Sequence, residues 1–327
     1  MMRNPYIGHD SQVYGIEEHR LVGGKGDGVR LLMVNNGKGL EMEVSPDRAC
    51  DIPRLRYRGI NMSYFSPCGY VAPAYYDSQG TNWLKSFTAG FLTTCGLEAV
   101  GSPCVDQGEQ FPLHGTIANT PAEHVYWYEE GEELVIKGMI PDEVLFARKL
   151  RLYRELRISL KENLFRIIDR IENAGDTTQP FEILYHMNMG YPLLDEDSIV
   201  KIPAAEVRGR DELAQQDVGI WNRMSKPEVG CVERCFYHTF EKDAKASIFQ
   251  PKLGQGLEIS FDCKELDCFT EWKMMGVRDY VLGLECGNCY PDGRDVMRAN
   301  GILKFLEPGE SKTYTVQVRM LDEEPQE

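Results

Sequence analysis

Apolar residues recur at every second position in several stretches of this chain, and a period of two is the mark of a strand with one buried face. Leu40, Met42 and Val44 alternate with Glu41 and Glu43; Leu156, Ile158 and Leu160 alternate with Arg157, Ser159 and Lys161; Tyr314, Val316, Val318 and Met320 alternate with Thr315, Gln317 and Arg319. Turn residues separate such runs. Asn35-Asn36-Gly37 predicts one hairpin, and Lys161-Glu162-Asn163 predicts another, leading into the alternating Phe165, Ile167, Asp169 and Ile171. The stretch Val144–Ile158 has Arg, Leu and Glu in proportions that also suit a helix. Its clean alternation after Arg154 predicts a strand instead. Long amphipathic helical patterns are missing elsewhere, so the expectation is an all-β fold of mainly antiparallel strands, forming a single domain over residues 1–327 with a disordered acidic tail at Asp322–Glu327.

Composition narrows the partners. A chain of 327 residues can bury a large core, and a formal net charge of -15 repels nucleic-acid phosphates and anionic membrane surfaces. Neither nucleic acid nor membrane is therefore expected as a partner, and a small neutral ligand is. No apolar run approaches the roughly 20 residues that cross a bilayer. The start, MMRNPYIGHD, lacks a basic segment followed by an apolar one, which points to a cytoplasmic protein. The oligomeric state is left open, a homo-oligomer included. Ten cysteines are scattered without the dense framework of small secreted domains, so reduced thiols are expected. Cys231 with Cys235 and Cys286 with Cys289 have spacings that could hold zinc, but neither pair carries a knuckle sequence and both lie in strand-like surroundings. No metal and no cofactor is expected: G-x-S-x-G, Walker A and H-E-x-x-H patterns are all lacking.

Two apolar runs carry the candidate chemistry. Tyr280–Tyr290, YVLGLECGNCY, is interrupted by Glu285 and then bends at Gly287 and Asn288; Phe181–Leu194, FEILYHMNMGYPLL, is interrupted by His186, with Asn188 and Gly190 following. A carboxylate within such a run is costly to bury unless it has a partner or a task. His186 and Glu285 are accordingly expected to form an acid/base pair. Asn188 is expected on the face of His186 by the period of two, with Gly190 leaving room for a ligand at the backbone. His114, in LHGTIANTPA, sits where Gly115 and Asn119-Thr120-Pro121 mark turns that can face a cleft. Arg48 and Asp51 form a charged pair at a strand end, which fits a rim ion pair or a sugar contact, and Trp272 beside Lys273 could stack on a pyranose. Asn288 completes the candidate binding set. The aromatic, Pro- and Gly-rich segment Ser63–Thr81 is of the kind that wraps a binding cleft.

With these residues in view, the chain resembles the galactose mutarotase-like superfamily, in its aldose 1-epimerase-like branch of uncharacterised function. The resemblance runs through Phe87–Pro103, Leu113–Ala122, Phe181–Leu194 and Glu271–Asn288, in that order. It implies a β-supersandwich with a cleft on one sheet face. It also implies that His114 orients a monosaccharide, that a protonated His186 gives a proton to the ring oxygen, and that Glu285 removes the proton of the anomeric hydroxyl. A water-poor cleft with a neighbouring carboxylate is expected to favour the imidazolium of His186. Two departures stand out: Cys286 follows the glutamate where the branch usually has proline, and Met187-Asn188 replaces the proline-tyrosine pair after the second histidine. The resemblance carries no sugar preference. Two other functions fit the same residues: a carbohydrate-binding protein without turnover, and an isomerase or lyase acting on an open-chain sugar or uronic acid.

Overall fold

The structure, a computed structural model, describes residues 4–242 and 244–326. Two antiparallel sheets, of twelve and eight strands, pack face to face. In the smaller sheet, Glu123–Glu130, Glu133–Glu143, Lys149–Ser159 and Leu164–Asn173 follow one another as a meander, and Ser311–Leu321 pairs next. Burial alternates at every residue through Lys149–Ser159 and Leu164–Asn173, as the sequence pattern requires when one face meets a core. Leu152, Leu156, Phe165, Ile167 and Val316 supply that face. Both predicted hairpins form, between Arg30–Asn35 and Leu40–Ser45 and between Lys149–Ser159 and Leu164–Asn173.

Two expectations need correction. The strand expected from Val144 begins only at Lys149, because Val144–Arg148 closes a tight turn in which Leu145 and Phe146 are exposed and Phe146 takes φ 63°. The acidic tail, expected to be disordered, is tied down as far as Pro325: Tyr57 and Arg58 hold Asp322, and Lys201 reaches Glu324 and the Pro325 carbonyl. Glu327 lies outside the described residues.

Six strands of the larger sheet position the site: β1 (Asp51–Tyr57), β2 (Leu92–Leu97), β3 (Gln179–Met189), β4 (Arg234–Thr239), β5 (Cys268–Met275) and β6 (Tyr280–Gly287). Their spatial order is β1-β2-β3-β6-β5-β4. Phe181 to Met189 of β3 are all buried, which explains why this strand reads as a near-continuous apolar run. Ile183, Tyr185 and Met187 face the second sheet, whereas Leu184 joins an outer cluster with Trp83, Phe87, Tyr237 and Met297. The outer cluster makes this face an interior too.

Candidate active site

Strand register brings the site together. His186 of β3 stands directly opposite Glu285 of β6, Glu285 opposite Thr270 of β5, and Thr270 opposite Tyr237 of β4. Directly opposed residues share a face with Cβ atoms roughly 5 Å apart, so these four side chains form one row across the outer face. His186 Nδ1 lies 3.2 Å from Glu285 Oε1. The two atoms are not aligned as a hydrogen bond, and neither has another partner among the described residues. Gly283 makes room for this carboxylate: a Cβ there would stand 2.3 Å from Glu285 Oε1.

Above the row is a cavity of about 450 Å³. That volume is in the range of small-molecule sites. Its walls are aromatic: Phe87 and Trp272 flank the His186 ring at centroid distances of 5.4 and 5.3 Å, and Trp83 stacks on Phe87 at 4.5 Å. His114 enters from a loop at φ 58°, held by its amide to the Gly101 carbonyl and by its carbonyl to the Gly96 amide. Its ring lies 5.5 Å from that of His186. The Gly101 amide donates to His114 Nδ1 at 3.3 Å, which leaves the ring proton on Nε2. At the mouth, Glu233 accepts from Arg210 and from Trp272 Nε1, each at 2.8 Å. That contact fixes the indole plane over the cavity.

Burial dominates the electrostatics. Removal from water holds the His186 imidazole well below its ordinary range, and neighbouring His114 adds to the effect. The same burial, with Glu233 nearby, raises the Glu285 carboxyl well above the usual carboxylate range. Both directions run against the expected imidazolium at His186 and favour a neutral imidazole beside a neutral carboxyl group. Such a pair still holds one proton between two groups in contact. Burial also lowers His114 from 6.5 to about 4. Because this folded value is depressed, neutral His114 contributes its full stability above pH 6.5 and loses it as pH falls through about 4, a contribution of about 3 kcal/mol at 1.36 kcal/mol per unit. Ring NMR shifts of His114 are expected to titrate near pH 4, and a midpoint near 6.5 would contradict this burial.

The other expected binding residues divide. Trp272 and His114 line the cavity. Asn188 does not: it is wholly buried two residues along the strand from His186, donating to the His186 carbonyl, and the space at Gly190 is filled by the Tyr64 backbone. Lys273 points to the opposite face from Trp272, as strand alternation demands, and caps the carbonyls of Trp221 and Arg223. Asn288 instead joins the two sheets, accepting from the Ile183 amide and meeting the Tyr314 hydroxyl. Arg48 and Asp51 are buried and their side chains form no ion pair with each other, though the Asp51 amide donates to the Arg48 carbonyl at 2.8 Å. Arg48 clamps the carbonyls of Val71, Ser86 and Ala118, which steadies the segment carrying Trp83 and Phe87. Asp51 accepts from Thr94 and from Arg154. The cleft-wrapping segment expected at Ser63–Thr81 falls just short, since the cavity is lined by Trp83, Leu84 and Phe87 immediately after it.

Sequence reasoning missed Trp83, Phe87, Arg210, Glu233 and Thr270. None interrupts an apolar run in a way that announces a task. Of the cysteines, Cys286 packs in the inter-sheet core, Cys289 in the outer cluster, and Cys235 lines the cavity. Among the described residues, no three His, Cys, Asp or Glu side chains gather as a metal site. Nor, among those residues, is any helix long and apolar enough to cross a membrane.

This sandwich, with its row of polar groups on the outer face of the larger sheet, is the galactose mutarotase-like fold. It superimposes on a galactose 1-epimerase from Lactobacillus acidophilus NCFM with a TM-score of 0.66 at 14% identity, covering 95% of this chain and 100% of that one. A galactose mutarotase-like protein from Clostridium acetobutylicum gives 0.67 at 14% identity, over 94% and 99% of the two chains. At those identities the likeness is one of fold. A protein from Klebsiella pneumoniae subsp. pneumoniae MGH 78578, provisionally named an aldose 1-epimerase, gives 0.89 at 27% identity, over 95% of this chain and 84% of that one. Residues 26–320 match the family described as a domain of unknown function, DUF4432, and the chain belongs to that family. No curated protein matches the chain.

Proposed function

We propose that the protein is an aldose 1-epimerase that interconverts the anomers of a monosaccharide by general acid/base catalysis. The observation that carries this reading is the contact between His186 Nδ1 and Glu285 Oε1, 3.2 Å apart on the floor of an aromatic-walled cavity. Opening a cyclic hemiacetal requires a proton to reach the ring oxygen while another leaves the anomeric hydroxyl. Both oxygens are bonded to one carbon, so two groups in contact can serve them together. The anomeric hydroxyl is a far weaker acid than a carboxylic acid, which disfavours full ionisation and favours concerted transfer. One member of the pair gives its proton to the ring oxygen as the other takes the hydroxyl proton. The pair ends with the same proton count, the proton having changed sides. Rotation about the C1–C2 bond exposes the other face of the aldehyde, and closure reverses both transfers. Donor His186 with base Glu285, or the reverse, gives the same balance.

Trp272, partly exposed at the cavity wall, supports a sugar ligand, because a flat aromatic face matches the apolar C–H face of a pyranose. The mouth cation Arg210 is already paired with Glu233, which argues for a ligand without a phosphate or carboxylate. NMR exchange of freshly dissolved anomers across a panel of aldoses tests the reading. Exchange no faster than the uncatalysed rate for every sugar would overturn it, and binding without exchange would mark a carbohydrate-binding protein. Deuterium entering at C2 from heavy water would mark an open-chain isomerase, since mutarotation leaves carbon-bound hydrogens in place.

Gly283→Ala probes the pair without touching either member. The new Cβ would meet Glu285 Oε1 at 2.3 Å and Trp272 Cβ at 3.2 Å, so the carboxyl group must leave its present position beside His186. Displacement by about 1 Å costs on the order of 10²-fold in turnover. Anomer exchange is therefore expected to fall by about 100-fold in a folded variant, and wild-type exchange rates would show that the contact is dispensable.

A further inference from the structure

One carboxylate on the cavity wall takes no part in the proton transfer. Asp292 is half-buried and lines the cavity, and its Oδ1 accepts from the Tyr237 hydroxyl at 2.5 Å. Its Oδ2 takes no hydrogen bond from a described residue and is not shut off from solvent. A free acceptor therefore opens onto the ligand space. The neighbouring guanidinium groups are engaged elsewhere: Arg208 lies over the Tyr237 ring, Arg210 holds Glu233 and Arg294 holds Asp106. Nor does Asp292 serve the short helix Arg294–Ala299 that follows it, whose N-cap is Gly293 and which no side chain caps. The fold makes no use of Oδ2.

Yet the fold holds Asp292 firmly. Tyr237 is itself buried, with its ring 4.2 Å from that of Tyr290, so the hydroxyl that grips Oδ1 comes from a fixed side chain. On the backbone side Asp292 pairs with Gly101 as an isolated antiparallel bridge, so close that a Cβ on Gly101 would run into the Pro291 backbone. The same Gly101 accepts from the His114 amide and donates to His114 Nδ1. One glycine thus seats both a donor, His114 Nε2–H, and an acceptor, Asp292 Oδ2, on the cavity wall.

From this arrangement we infer that Asp292 is a substrate-binding residue that accepts a hydrogen bond from a hydroxyl group of the sugar, and that Tyr237 is the positioning residue that orients its carboxylate. The inference rests on the sugar reading and adds what kind of sugar fits. A carboxylate only accepts, so the ligand must offer it an O–H. A uronic acid or sugar phosphate presenting its anion there would meet a like charge, which selects for a neutral aldose.

Asp292→Asn keeps the shape and an oxygen for Tyr237 but puts an amide donor where the free acceptor stood. For the aldose that the wild type turns over best, KM is expected to rise about 10–100-fold, the worth of a hydrogen bond to a charged group, with kcat lowered no more than about threefold. Tyr237→Phe leaves the carboxylate in place but free to turn, and is expected to raise KM by about threefold to tenfold. Monodeoxy sugars separate recognition from support. The analogue lacking the hydroxyl that Asp292 reads should bind wild type about 10–100-fold more weakly than the parent and lose nothing further in Asp292→Asn, whereas the other analogues should lose as much as the parent does. The preference for the neutral aldose over the matching uronic acid should narrow about tenfold in the same variant. An unchanged KM in Asp292→Asn, or an equal loss for the parent and every monodeoxy analogue, would overturn this inference and leave the proton-transfer pair standing. A wild type that neither binds nor turns over any aldose would overturn the sugar reading and this inference with it.

Discussion

Glu285→Gln is expected to slow anomer exchange by about 10²–10⁴-fold, the usual contribution of one positioned proton-transfer group. Glutamine keeps the volume of the neutral carboxyl group and stays over Gly283, but it cannot pass a proton to or from His186. His186→Asn should cost a similar factor. The double variant should be little worse than either single one, because the two act as a unit and neither works without the other. Stability should move in the opposite direction to activity. The folded-state pKa of Glu285 is raised, so the stability associated with its protonated form is fully present below the unfolded value of about 4.5 and is lost as pH rises through the folded value. Glutamine has no proton to lose. The melting temperature of Glu285→Gln should therefore gain on that of wild type as pH rises from about 4.5 towards the alkaline side. A variant that is inactive and less stable at every pH would indicate a structural carboxyl group instead.

Arg154→Met is expected to cost about 3–5 kcal/mol of folding stability, the range found when one member of a buried ion pair is removed. Arg154 and Asp169 occupy inward positions among mainly apolar neighbours and stand directly opposite each other. The guanidinium makes two bonds to Asp169, at 3.0 and 2.6 Å, and reaches Asp51 at 2.8 Å and the Ala49 carbonyl at 3.0 Å. Without it, two carboxylates lie stranded between the sheets. Burial already pushes the Asp51 carboxyl upward against the pull of Arg154, and loss of that cation raises it further. With its folded value raised, the orphaned Asp51 is tolerated when protonated and becomes costly as pH rises. The deficit of Arg154→Met, read from urea unfolding, should accordingly shrink as pH is lowered towards 4. Activity should fall too: Asp51 holds the amide and hydroxyl of Thr94, whose neighbour Thr93 stands opposite His186. A variant as stable as wild type would show that the sandwich tolerates two unpaired acids.

The fold was legible because its strands each bury one face, and that demand writes a period of two into the chain. The pair His186 and Glu285 was legible for a related reason: each is a titratable side chain inside an apolar run, where only a partner or a task makes it tolerable. Arg48, Asp51, Lys273, Asn188 and Asn288 misled because polar residues at strand ends have two equally good uses. Here they hold backbone carbonyls, amides or Arg154 and leave the ligand space alone. Val144–Arg148 misled because an exposed apolar turn has the same composition as a strand.

Period, turns and interrupted apolar runs thus determined by themselves that this is an antiparallel β protein and which imidazole and carboxyl group stand out in it. Tertiary structure alone decided that the two meet, since register between strands some hundred residues apart depends on the packing of the whole sheet. It also decided which loops wall the cavity, bringing Trp83, Arg210 and Glu233 to the same hollow. The protonation state was decided there as well. Whether a histidine beside a glutamate is charged depends on how far both are removed from water, a property of the surrounding shell that no local sequence contains.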